Sequence, residues 1–101
     1  MDNILNMDYY RKKENEKKKI KCEFFDTIYT LIIEKIKLLA ENSIDWCLYE
    51  IPSFVIGCPN YTMNEISIYI IEKFSKYIKN KDIEEIIFYQ PNILYIKWKF
   101  F

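Results

Sequence analysis

The chain predicts an α+β fold, and three observations carry that prediction. Two long stretches free of glycine and proline place apolar residues at three- and four-residue steps. Between them lies Ile51-Pro52-Ser53-Phe54-Val55-Ile56-Gly57-Cys58-Pro59-Asn60-Tyr61-Thr62, which holds two of the three prolines and the only glycine. The C-terminal end alternates apolar and polar side chains after the remaining proline. The expected arrangement is two helices packed on one face of a small, mostly antiparallel sheet, in the order α-β-β-α-β-β, with the basic start of the first helix projecting.

Residues 1–8 read as a frayed leader. A helix follows from about Tyr9 to Glu41, with Ile20, Phe24, Ile28, Leu31, Ile32 and Ile36 as its apolar stripe and Leu39 and Ala40 continuing it. Before Ile20 there is no stripe, so that part must stand in solvent or lie against a partner. Asn42-Ser43 ends the helix. Residues 46–51, rich in Trp, Tyr and Ile, suit a half-buried strand, and Pro52 stops it or holds it at an edge. Phe54-Val55-Ile56 reads as a second short extended piece. Gly57 then permits a turn that a side chain would block, and Pro59 keeps its predecessor extended.

Thr62-Met63-Asn64-Glu65 fits a capping box, in which the Thr hydroxyl and the Glu carboxylate satisfy free amides at a helix start. The second helix spans about Met63 to Asn80, with Ile66, Ile70, Phe74, Tyr77 and Ile78 as its stripe and Lys76, Lys79 and Lys81 at its cation-favouring end. Ile83 to Tyr89 and Ile93 to Phe100 form a hairpin around Pro91-Asn92. Leu94, Ile96, Trp98 and Phe100 share one face of its last strand, and Tyr95, Lys97 and Lys99 the other. The organisation expected is a leader and charged helix start over residues 1–19, then one α+β domain over residues 20–101.

Composition bounds the chemistry. Ile, Lys, Tyr, Asn and Phe supply 57 of 101 residues, while Ala, Gly and Arg occur once each and His is absent. The abundant residues have codons rich in A and T, which points to an AT-rich genome: a large DNA virus, a protozoan parasite or an AT-rich bacterium. Without histidine, the commonest general base and metal ligand is missing. One glycine cannot build a phosphate-cradling loop. Cys22, Cys47 and Cys58 form no CxxC pair, so they read as free, mostly buried thiols in a reducing compartment. Cys58, just ahead of a helix start, is the best nucleophile candidate, set against the blander role of a small residue in a tight turn. Adjacent Glu84 and Glu85 would point to opposite faces of a strand and cannot cooperate as acid and base. No catalytic, cofactor or metal site is expected, and no small-molecule substrate. The N-terminus lacks the apolar core of a signal peptide, and no stretch is long and apolar enough to span a membrane.

Net charge is zero, yet residues 11–21 carry seven basic and two acidic side chains, leaving −5 over the rest. Such a segment is either the solvated start of a helix or a contact surface for a protein or a nucleic acid. Lysine contacts to phosphate would be sequence-independent and salt-sensitive, and Arg11 is the lone candidate reader of guanine. The Lys run and the apolar stripe lie mostly in successive stretches of the helix rather than on opposite faces, which argues against a membrane-surface helix.

Leu48-Tyr49-Glu50-Ile51-Pro52-Ser53-Phe54-Val55-Ile56-Gly57-Cys58-Pro59-Asn60-Tyr61 resembles the Y-E-I/V-P-x-F-x-x-G-x-P-x-Y block of a small uncharacterised family in large nucleocytoplasmic DNA viruses. Gln90-Pro91-Asn92-Ile93-Leu94-Tyr95-Ile96-Lys97-Trp98 is similar to the P-N-x-L-x-I-x-W block that closes the same family, and Tyr69 to Phe74 fits the segment between them. The resemblance covers about residues 18–98. It departs at Lys79-Asn80-Lys81-Asp82-Ile83, where the family often carries G-F-x-V. It implies a viral origin and a fold, and no activity.

The expectation is therefore a non-enzymatic structural or virus-factory protein, placed in host cytoplasm or in the virion rather than secreted. It would act through contacts with a viral protein or with itself. Its contact residues would be Arg11, Lys12, Lys13, Lys17, Lys18, Lys19 and Lys21 on the helix start, and Pro52, Phe54, Pro59 and Tyr61 on the central turn. The alternative is an accessory, nonspecific nucleic-acid binder using segment 11–21.

Overall fold

The computed structural model describes residues 6–100. The first element, α1 (Met7–Glu41), is a single unbroken helix. Asn6 caps it by accepting from the Tyr9 amide at 3.2 Å. Helix therefore takes in Met7 and Asp8 of the expected leader, while residues 1–5 lie outside the described residues. At the other end the Ser43 amide donates to Ala40 and the Ile44 amide to Leu39, with Ser43 at φ 61. This is the left-handed cap usually given to glycine, and here serine adopts it.

The remaining elements are β1 (Trp46–Glu50), α2 (Met63–Lys73), α3 (Ser75–Lys79), β2 (Ile83–Tyr89) and β3 (Ile93–Trp98). The strands form one antiparallel sheet in the order β1-β3-β2. The result is the expected α+β layout with one strand fewer. Phe54-Val55-Ile56 pairs with nothing in the sheet: the Cys58 amide donates to the Val55 carbonyl at 3.0 Å, which curls the segment into a turn. Gly57 follows at φ +90, in the region that favours glycine. The second helix is divided at Phe74, whose amide is shared between the carbonyls of Ile70 and Ile71. The last strand ends at Trp98, so Phe100 does not join the row of Leu94, Ile96 and Trp98 and is half exposed.

The core lies between the helices and one face of the sheet. Phe25, Ile28 and Ile32 from α1 meet Ile66, Ile70 and Phe74, with Cys47, Ile51, Ile83, Leu94, Ile96 and Trp98 below them. Their alternates on the strands (Trp46, Leu48, Glu85, Ile87, Tyr95 and Lys97) stand outside that cluster. Phe25, rather than Phe24, is the buried phenylalanine of α1. Ile20 and Leu31, read as stripe residues, are exposed. A 3.6-residue turn places Phe25, Ile28, Ile32 and Ile36 in one row and shifts Ile20, Phe24 and Leu31 to its flank.

Polar cross-ties fix α2 to α1, among them a bond from the Tyr29 hydroxyl to the Lys73 carbonyl. The Tyr69 hydroxyl donates to Asp26 at 2.6 Å beside the Lys73 ammonium at 3.2 Å. Lys21 meets Glu65 at 3.1 Å. The Lys35 ammonium donates to the Leu48 carbonyl at 2.6 Å, which places a cation at the edge strand β1, where free backbone groups invite pairing.

Candidate docking surface

Every residue from Met7 to Ile20 is exposed, and the molecule reaches 66 Å in length against 27 and 22 Å across. The start of α1 is thus an arm, stiff because its backbone bonds continue into the core-packed half of the same helix. Three of its candidate cations are committed within the chain. Arg11 pairs with Asp8 and Lys17 with Glu14 one turn away, and Lys21 reaches across to Glu65. Lys13 lies over the Tyr9 ring, 5.2 Å from its centroid. Among the described residues Lys12, Lys18 and Lys19 make no ion pair.

The structure brings part of the arm to part of the turn. Glu14, Lys17, Lys18 and Lys21 face Pro59, Asn60 and Glu65 across a crevice where α2 begins. The capping box is formed there: Thr62 Oγ1 accepts from the Glu65 amide, and Glu65 accepts from the Thr62 amide, each at 3.1 Å. Lys21, followed by that Thr62 amide, holds the Glu65 carboxyl below its ordinary value.

The turn is closed at its base. The Tyr61 hydroxyl donates to the Pro52 carbonyl, and the Tyr61 ring stands edge-on to Phe25 at 5.2 Å. The Ile51 amide donates to Asn92, whose side-chain amide returns a bond to Ile51. Pro52 and Tyr61 are therefore joined to one another, and Pro59 lines the crevice. Phe54 is left as the presented side chain at 68% exposure, joined by Ile56 at 90%. Ile56 was not singled out from sequence. Val55 packs on the core while its two neighbours are exposed, and because the segment curls into a turn no strand alternation marks Ile56 in the sequence.

The nucleophile candidate Cys58 is half-buried in the turn. Burial pushes the Cys58 thiol up, and Lys21 offsets only part of the effect. Cys22 is exposed, contrary to the expectation of mostly buried thiols. The register of β2 shifts between Ile83 and Glu85, so Glu84 lies within the irregular step, and Glu84 and Glu85 are both exposed. Among the described residues no three His, Cys, Asp or Glu side chains gather to hold a metal, and no helix is long and apolar enough to cross a membrane.

The sequence profile of DUF5759, a family of unknown function, matches residues 5–75. The chain belongs to that family. The matched span holds all of α1, β1, the central turn and α2, so the DUF5759 region contains both the arm and the loop just described. An uncharacterised protein of Acanthamoeba polyphaga mimivirus is 33% identical over 98 residues, covering 95% of this chain and 77% of the relative. That alignment includes sheet residues beyond the DUF5759 profile, and the relative's source agrees with the viral resemblance carried by the sequence. No solved structure matches the chain.

Proposed function

We propose that this DUF5759 chain is a non-enzymatic viral binding module that docks onto protein through the arm of α1 and the loop Pro52–Tyr61. The observation that carries the reading is the arm: from Met7 to Ile20 it has no buried side, yet it continues the helix that anchors the core. A helix polar on all sides gains little from its own fold and is suited to bridging to another molecule. The loop supports the same reading, because its closed base presents Phe54 and Ile56 to solvent. The site of action proposed with it is the virus factory or the virion.

The test is co-purification from infected cells. The wild-type chain should retain a partner under washes that Phe54→Ser with Ile56→Ser, or the chain without residues 1–17, does not survive. Equal recovery by all three would remove the proposal.

A second reading has its own support. Arg11, Lys12, Lys18 and Lys19 fall on one side of the arm at helical spacing, and three of them make no ion pair among the described residues. Such a row suits phosphates. Nonspecific binding through it would weaken with salt at a log–log slope of about −3 on duplex DNA. A flat salt response in a DNA titration would dismiss it.

A further inference from the structure

The core uses one side of α1, and a second row of residues runs along an adjacent side. Tyr10, Lys17, Phe24, Leu31 and Leu38 recur every seven residues. Lys13, Ile20, Thr27, Glu34 and Glu41 interleave with them at alternating steps of three and four, which is the spacing of a two-helix seam. The packed half of the helix takes up only Phe24, which is half-buried beside Gly57, and leaves the other apolar members of the row open: Ile20 is 38% exposed, Leu31 47% and Leu38 61%. Thr27, Glu34 and Glu41 are exposed as well.

The row is complementary to itself when reversed. Its middle is apolar, with Ile20, Phe24 and Leu31 around Thr27. One end carries Lys13 and Lys17, and the other carries Glu34 and Glu41, neither of which makes an ion pair among the described residues. Laid antiparallel on a second copy about a two-fold axis between Phe25 and Asp26, Ile20 meets the second copy's Leu31 position and Phe24 its Thr27 position. Lys17, whose pairing within its own chain is an exposed one with Glu14, meets the Glu34 position, Lys13 meets Leu38 and Tyr10 meets Glu41, and every contact occurs twice. A parallel alignment would instead stack Lys17 on its own copy and Glu34 on its own copy. Charge placement therefore selects the antiparallel register.

We propose that the occupant of this face is a second copy of the chain, its α1 running antiparallel to the first. This rests on the docking reading above and names the arm's partner. The arm of each copy then lies along the core-packed half of the other's α1, which gives a projecting helix its counterpart.

Sedimentation equilibrium of the purified full chain at low ionic strength tests the pairing. The wild type should dimerise. Leu31→Glu should be monomeric over the same concentrations while its circular dichroism and unfolding midpoint stay at the wild-type values, since Leu31 is outside the core. Lys17→Glu and Glu34→Lys should each weaken the dimer by about tenfold, and the double variant should recover it. A wild type that stays monomeric at millimolar concentration overturns the pairing, as does a double variant weaker than either single one. If that monomer still retains a different protein through its arm, the docking reading stands and only the self-pairing falls. If the arm retains nothing, both fall.

Discussion

At Cys22, Cys47 and Cys58 the same side chain meets three environments, exposed, buried and half-buried. Burial pushes the Cys47 and Cys58 thiols up, with Lys35 and Lys21 offsetting part of it. Alkylation requires both thiolate and access. In the folded chain Cys22 should therefore react first with iodoacetamide, Cys58 more slowly and Cys47 only on unfolding, as read by peptide mass spectrometry over a time course. Faster labelling of Cys58 would return the Gly57 turn to consideration as a reactive site. The turn itself was legible: a lone glycine between two prolines has few other uses. The closure by Tyr61 onto Pro52 was not, because it depends on a hydroxyl meeting a carbonyl nine residues back, for which a single sequence carries no periodic signal.

For α1, sequence spacing showed a helix and not which of its sides is buried. Ile28, Leu31 and Ile32 all fit a loose apolar stripe, and only the position of the sheet decides among them. Ile32 is fully buried and Leu31 is not. Ile32→Ala should cost about 2–5 kcal/mol, while Leu31→Ala in the monomer should stay within about 0.5 kcal/mol. Urea unfolding of the two variants measures the contrast, and similar losses would mean that α1 is rotated from the position described. The second helix was legible to its first residue because Thr62 and Glu65 announce it. Its division at Phe74 was not, since no breaker marks the place.

The contacts between α1 and α2 also carry a pH dependence. The Tyr69 hydroxyl, with Lys73, holds the Asp26 carboxyl below its ordinary value, as Lys21 does for Glu65. Groups lowered in the folded chain stabilise it fully above the ordinary carboxylate range and lose that contribution as pH falls through their folded values. The urea midpoint should therefore drop on acidification below the ordinary carboxylate values. Glu65→Gln with Asp26→Asn should flatten that drop, and an unchanged profile in this double variant would place the acid sensitivity elsewhere.

At the scale of the whole molecule, a domain of ordinary width carries a helix that outruns it. Composition and the break in the stripe at Ile20 indicated a projecting start, but not the second row beside it, which becomes visible only after the core has claimed Phe25, Ile28 and Ile32. Because Met7 to Ile20 contribute nothing to that core, the arm and the domain should separate energetically. A chain lacking residues 1–17 keeps Lys21, the capping box and the whole hydrophobic cluster. Its unfolding midpoint, compared below the dimer's dissociation range, should match that of the full chain and its urea dependence should stay close to it, since the slope reports surface buried on folding and the arm adds nothing to the hydrophobic cluster. Its helical circular dichroism should fall by the share of the deleted turns. The same truncation removes Lys13, Lys17 and Tyr10 from the seam and leaves each Glu34 facing no cation, so self-association should be lost while the domain persists. Should truncation lower the midpoint of the monomer, the arm would have to be packing on its own domain in solution, and its role as a contact for a second chain would lose its physical basis.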